Sequence, residues 1–319
     1  MAKRHLKKGR VALAMAVVAG TLICADNIRR DLFQTEANSI VVNGNFKEDT
    51  VSERRSGDAQ TLGNVSQTST EFTGMQNVGF SEINVSSSSL SSGSLALIDI
   101  AHPIGDINRS DMVDLMNEKN EFYTLVDNSV MLNKEAAEAL NLMMADYNEA
   151  TSLSDFIVYG TTETYTGADS FCPIYFPESA TGMTVDLAIN GHTSVVTYDG
   201  CDEEGWIVEN CAKYGFIVRC PEGKEGVTSH KYCPWHLRYV GKIHATIMAE
   251  KNLCLEEYLD LLKTYTYDKP LKYSINDVNY EIYSVPSKGE LTSVMIPISG
   301  NYDISGDNLG NYIVTVIKG

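Results

Sequence analysis

Apolar residues recur three and four positions apart along "NKEAAEALNLMMADYNEA", which begins at Asn133, so that Ala137, Leu140, Met143 and Met144 share one side. Asn133 stands at a capping position and Glu135 falls in the first turn, so the spacing predicts a helix starting after Asn133. "LCLEEYLDLLKTY", Leu253 to Tyr265, repeats that period and predicts a second amphipathic helix. Between them, "SDFIVYGT" is a short apolar run of strand length and "MTVDLAIN" alternates with period two. "GWIVENCAKYGFIVRCPEGK" reads as a helix stopping at Gly215, then a short strand and a Pro-Gly turn. After Pro270 the runs "VNYEIYSVP", "ELTSVMIPI", "YDIS" and "NYIVTVIKG" alternate between turn-forming segments, which predicts a small β-module. Helices and strands mix without βαβ regularity, so the fold class is α+β.

The pattern also sets the ends of the folded part. Residues 31–94 are rich in Ser, Thr, Asn and Gly, as in "VSSSSLSSGS", and bury too little apolar surface to offset chain entropy, so a flexible spacer is expected there. Order is expected from "LALIDIAHPIG", Leu95 to Gly105, a strand pattern ending in turn chemistry. Four segments result: 1–30, 31–94, a main domain over 95–268, and the β-module over 269–319. In the first, the apolar run from Val11 to Ala25 lies between Lys3, Arg4, Lys7, Lys8, Arg10 and Arg29, Arg30. No small-x-small cleavage site follows it, so the expectation is an uncleaved signal anchor with a cytoplasmic N-terminus and an extracellular folded part.

Composition narrows the partners. The chain of 319 residues carries a net charge of −17. The first thirty residues hold seven basic and one acidic, which leaves 18 basic and 41 acidic beyond them, a net of −23. Nucleic acid and anionic lipid are poor partners for such a surface. Seven cysteines, six of them after Cys24, permit disulfides without fixing a pairing, and a domain of this size does not need them.

The longest stretch with chemical content is "GWIVENCAKYGFIVRCPEGKEGVTSHKYCPWHLRYVG", Gly205 to Gly241. It resembles the VanY-type D-alanyl-D-alanine carboxypeptidases, zinc peptidases of family M15B, whose pattern there reads approximately "W..NA..YGFI.RYP.GKE..TG..YEPWH.RYVG". The resemblance implies an M15/hedgehog-like carboxypeptidase core, an antiparallel sheet with flanking helices, covering roughly Leu95 to Tyr265. It also implies an activity that needs zinc on three protein ligands, a carboxylate base and a cation for the substrate's terminal carboxylate.

Carried over residue by residue, that machinery is incomplete. The family's Ser-x-His-x-x-Gly-x-Ala-x-Asp motif falls on "PESATGMTVD", so Ser179 stands at the ligand histidine while Asp186 keeps the ligand aspartate. Glu-Pro-Trp-His falls on Cys233 to His236, which keeps the third ligand as His236 and replaces the base by Cys233. Ser-Gly-Tyr-Arg falls on "YGTT", with Thr162 at the arginine. Thr162, Ser179, Trp235 and Arg238 therefore mark the remnant of a substrate pocket. Glu178 and His230 lie near in sequence, yet neither is an obvious replacement base.

The expectation is a pseudoenzyme with no catalytic residue and no required cofactor. It would bind peptidoglycan stem peptides or a surface protein, and contact the membrane through its anchor. Two alternatives stay open: a zinc D,D-carboxypeptidase rebuilt on Asp186, Cys233 and His236, and a thiol nucleophile at Cys233. Asp303, Ser305 and Asp307 have calcium-loop spacing, but Asn308 and Val314 occupy positions six and twelve, so a polar turn is expected.

Overall fold

The computed structural model describes residues 79–107, 109–159, 176–191 and 194–318. The expected anchor, the expected spacer up to residue 78, and Thr162 lie outside the described residues.

The main domain is built on a six-stranded sheet of β3 (Thr124–Leu125), β5 (Phe156–Tyr159), β6 (Thr184–Asn190), β9 (His236–Tyr239) and β8 (Phe216–Val218) in that order, with β7 (Val195–Thr197) pairing β6 beside this path. The β3–β5 pair is parallel and the others are antiparallel. A separate two-stranded sheet joins β2 (Met112–Asp114) to β4 (Met131–Asn133). The helices are α1 (Leu115–Glu118), α2 (Lys134–Thr151), α3 (Trp206–Asn210), α4 (Glu225–Thr228), α5 (Lys242–Lys251) and α6 (Leu255–Leu262).

The expected helix after Asn133 is α2. The Asn133 side chain accepts hydrogen bonds from the Glu135 and Ala136 N–H groups, and Ser152 ends the helix in the left-handed region at φ 63°. Its buried stripe, Ala136, Ala137, Leu140, Met143, Met144 and Tyr147, packs on Phe156, Val158, Val185, Leu187, Phe216 and Leu237 from the sheet. Because successive side chains of a strand alternate in direction, burying Val185 and Leu187 on this side sends Thr184 and Asp186 to the other.

A second core joins α5 and α6 to the β-module: Ile243, Ile247, Met248, Leu255, Leu259 and Leu262 meet Leu271, Ile282 and Ile313. The module is an antiparallel sheet in the order β10 (Leu271–Ile275), β11 (Val278–Pro286), β14 (Asn311–Lys318), β13 (Asn301–Gly306). β12 (Leu291–Pro297) pairs instead with β1 (Phe80–Ser86) over seven residues.

Two sequence expectations are corrected here. Among the described residues, regular structure is already present before Leu95, since β1 lies within the expected spacer and inserts Val85 into a cluster with Tyr283, Val294, Tyr312 and Val314. Leu95 to Ile98 are buried as expected but do not form a strand. Their backbone groups bond elsewhere: Leu95 N–H to Ser305 Oγ at 3.0 Å, Leu97 N–H to the Asp307 carbonyl at 3.1 Å, and the Ser94 and Ala96 carbonyls to the Arg238 guanidinium. The 303–307 stretch is β13 and a polar turn, in which the Asp307 carboxylate accepts from the Leu309 and Asn311 N–H groups. No helix among the described residues is long and apolar enough to cross a membrane.

Segment 80–94 sits tightly on the module, because a Cβ added at Gly306 would lie 2.1 Å from the Leu90 carbonyl oxygen and 2.4 Å from that of Ser89. Gly306→Ala is therefore expected to lower unfolding free energy by about 1–3 kcal/mol, as overpacking typically does. Denaturant unfolding checks this, and an unchanged midpoint would mean that the segment is not docked there.

Candidate functional site

The antiparallel register aligns the site on the sheet face turned away from α2. Asp186 pairs directly with His236 across β6 and β9, and the Arg219 N–H just beyond β8 bonds the His236 carbonyl at 3.0 Å. Directly opposed residues project to the same side, so Asp186, His236 and Arg219 form a row across three strands. Thr184 and Arg238 are the next opposed pair of β6 and β9, which places Arg238 beside that row.

A short 3₁₀ turn, Pro177–Thr181, brings Glu178 to the row. The turn ends at Gly182, whose φ of 71° belongs to the left-handed region, and whose carbonyl accepts the Asn133 N–H at 2.8 Å. A Cβ at Gly182 would stand 3.0 Å from that nitrogen, so only glycine fits without displacing the α2 cap.

Glu178 is 1% exposed and meets three cations. Its Oε1 lies 3.0 Å from Arg219 Nε and 3.3 Å from His236 Nε2, while Oε2 accepts from Arg238 Nη1 at 2.7 Å. The Arg219 Nε contact is ionic without hydrogen-bond alignment, since that N–H has no hydrogen-bond acceptor among the described residues. The outer nitrogens of Arg219 fork onto Glu256 at 2.8 and 3.2 Å. His236 Nδ1 stands 2.6 Å from Asp186 Oδ1. With His236 protonated, three cations thus face three carboxylates. The Phe176 ring lies flat against His236, centroids 3.8 Å apart at 8°.

The electrostatics follow from this packing. Burial works to raise the Glu178 pKa, but the Arg219 charge, the His236 hydrogen bond and the Arg238 charge together hold it down at about 2. Burial likewise opposes protonation of His236, yet the charge and hydrogen bond of Asp186, followed by Glu178, lift it to about 9. Burial, with the like charge of Arg219 adding to it, lowers the Arg238 pKa.

Of the residues singled out from sequence, Asp186, His236 and Arg238 come together in this network. Ser179 is buried beside Glu178 on the 3₁₀ turn. Trp235 is half-buried, its indole N–H lacking a partner among the described residues and its carbonyl accepting the Leu187 N–H at 2.9 Å. Cys233 is fully buried, and its thiol donates to the Lys231 carbonyl at 3.1 Å and packs with Phe176 and Cys220. Sequence reasoning missed the parts played by Glu178, Arg219 and Glu256. A cation inside the apolar run "GFIVRCP" was the available signal for Arg219, because a charge there must find a buried partner.

The two shifts have opposite signs in pH. The contribution of Glu178 is complete above its ordinary value of 4.5 and is lost as pH falls toward 2. That of His236 is complete below its ordinary value of 6.5 and is lost as pH rises through about 9. Stability measured by denaturant unfolding should peak between the two ordinary values, and His236→Gln should flatten the alkaline limb. A variant with the wild-type alkaline limb would exclude His236 as its source. Glu178→Gln leaves the buried Arg238 without a carboxylate and Arg219 with Glu256 alone, and should remove about 3–5 kcal/mol; a change below 1 kcal/mol would contradict the ion network.

Comparison with known proteins agrees with this placement. The family model described as VanY: D-alanyl-D-alanine carboxypeptidase matches residues 177–242, which hold Glu178, Asp186, Arg219, Cys233, His236 and Arg238. The chain is 35% identical over 239 residues to a D-alanyl-D-alanine carboxypeptidase of Enterococcus faecium, covering 71% of this chain and 76% of that protein. It is 40% identical over 86 residues to a D-alanyl-D-alanine carboxypeptidase of Enterococcus faecalis, 27% of this chain and 31% of that one. Among solved structures, the vancomycin-resistance D,D-dipeptidase VanXYg, in complex with a D-Ala-D-Ala phosphinate analogue, superposes with a TM-score of 0.64 at 23% identity, over 75% of this chain and 99% of that one, a likeness of fold. The α+β architecture, the row of site residues and the extent of the E. faecium relative lead to one conclusion: this chain belongs to the VanY D-alanyl-D-alanine carboxypeptidase family.

Proposed function

We propose that this protein is a catalytically inactive member of its family, held at the outer face of the cell membrane by its N-terminal segment, and that it binds peptidoglycan stem peptides. The observation that carries the reading is the closed ion network. Both ring nitrogens of His236 face carboxylates, Asp186 Oδ1 at 2.6 Å and Glu178 Oε1 at 3.3 Å, an arrangement that suits an imidazolium. A metal-binding histidine must instead offer a lone pair.

Zinc is the group the family implies, and the residues fit it poorly. Asp186 and His236 are two donors in contact, but among the described residues no three His, Cys, Asp or Glu side chains converge as a metal-binding set. Ser179 occupies one ligand position, and Cys233, at the position of the general base, donates its thiol to a backbone carbonyl. General base catalysis is worth about 10² to 10⁴-fold, and a thiol committed in this way offers no substitute carboxylate. The reading of stem peptides as ligands rests on the family: the E. faecium relative is named for action on D-alanyl-D-alanine.

Incubation of the purified chain with a peptide ending in D-Ala-D-Ala tests this directly. Saturable binding without release of D-alanine, in protein carrying well under one zinc per chain, is the expected result. Release of D-alanine that a chelator abolishes and that Asp186→Ala or His236→Ala removes would establish the rival, a zinc D,D-carboxypeptidase rebuilt on Asp186, Cys233 and His236. The membrane part of the reading rests on the basic residues around Val11 to Ala25. Intact cells treated with protease should lose the folded part, and a chain starting at residue 31 should stay in the cytoplasm; protection of the full chain would contradict the topology.

A further inference from the structure

Cys220 and Cys233 are thirteen positions apart and both fully buried, one two residues past β8 and the other before β9. The β8–β9 ladder ends with the Arg219 N–H on the His236 carbonyl, and the chain then turns. Residues 233–236 form a β-turn with Pro234 at its second position, closed by the His236 N–H on the Cys233 carbonyl at 3.1 Å. That turn carries Cys233 back onto Cys220, whose carbonyl accepts the Cys233 N–H at 3.0 Å. Strand residues that exchange two such bonds have Cα atoms about 5.5 Å apart, inside the roughly 4.4–6.8 Å that a disulfide spans, and the single bond here keeps the two backbones adjacent. The side chains follow the backbone. Both pack against Phe176, and the neighbouring Cys233 thiol, followed by burial, pushes the Cys220 thiol up.

No other described cysteine competes for either thiol. Cys254 caps α6, the Cys211 thiol bonds the Val208 carbonyl within its own turn, and Cys201 is exposed beside Asp199. The loop between the pair is also held from outside by the Lys224 ion pair with Glu257 at 2.8 Å, and Arg219, just before Cys220, pairs with Glu256.

We propose that Cys220 and Cys233 form a disulfide in the mature protein, which locks the β8–β9 loop and takes the thiol of Cys233 out of reach of both metal and nucleophilic chemistry. Each thiol gives up its hydrogen and one Sγ–Sγ bond forms. The two electrons and two protons pass to a disulfide-bearing exchange partner, which leaves as two thiols. The inference does not depend on the peptide-binding reading, because the bond forms or fails to form whatever the site binds. It bears on the rival enzyme reading directly, since an oxidised Cys233 can be neither ligand nor nucleophile.

The test uses the full chain in detergent, unfolded under reduction and refolded in a mixture of reduced and oxidised glutathione, so that access to the buried thiols does not limit the outcome. Trapping by alkylation, digestion and mass spectrometry should give one linked peptide pair, Cys220 to Cys233, two hydrogens lighter than the separate peptides. A loop of this length should also make the melting temperature fall by roughly 6–12 °C on reduction. The Cys220→Val/Cys233→Ala double variant should show no such response to reductant. Folded chain in which both cysteines are alkylated, or in which either is linked to another cysteine, would overturn the proposal. The mass measurement is made on the unmutated chain, so poor folding of the variant does not affect it.

Discussion

A carboxylate with almost no solvent contact governs this site. Glu178 is stable as an anion only because His236 and Arg238 approach it from β9 and Arg219 from just beyond the neighbouring β8. Each of those cations in turn needs an anion or carbonyl of its own, found at Glu256, at Asp186, and at the Ser94 and Ala96 carbonyls. Desolvating so many charges is affordable only when all are paired, so the 3₁₀ turn, the three strands, α6 and the 94–96 segment must take up one mutual arrangement. A charge network of this kind fixes geometry more than it adds stability.

That arrangement ties the candidate site to the rest of the fold. Arg238 links the sheet to the segment that runs on to the β-module, and Arg219 links it to α6, whose other side shares a core with the module. Phe176 covers one face of His236 and also touches the Cys220 and Cys233 pair, so hydrophobic packing and the ion network meet at a single ring. In an enzyme of this family the same strands would have to leave a donor lone pair and an open coordination position. Here the groups best placed to supply them are bonded to each other.

Much of the scaffold was legible in the sequence because its signals are local. The Asn133 cap and the spacing of Leu140, Met143 and Met144 define α2, and the alternation around Asp186 defines β6. The resemblance implied that Asp186 and His236 would meet, and they do. Signals that depend on distant partners were harder to read. β1 is written in Ser, Asn and Glu, and becomes a strand because β12 supplies its ladder. α5 went unread because Ile243, His244, Ala245, Ile247 and Met248 are buried around most of its circumference, leaving no clean apolar stripe. Glu178 carried no periodic or motif signal, since its role comes from three cations contributed at positions 219, 236 and 238.

The central claim is that His236 serves as an ion-paired cation and not as a metal ligand. The most direct measurement is nitrogen-detected NMR of its imidazole near neutral pH, with and without excess zinc. The account predicts that both ring nitrogens carry protons in both samples. A ring nitrogen that loses its proton and shifts on zinc addition would show a working metal site and contradict it.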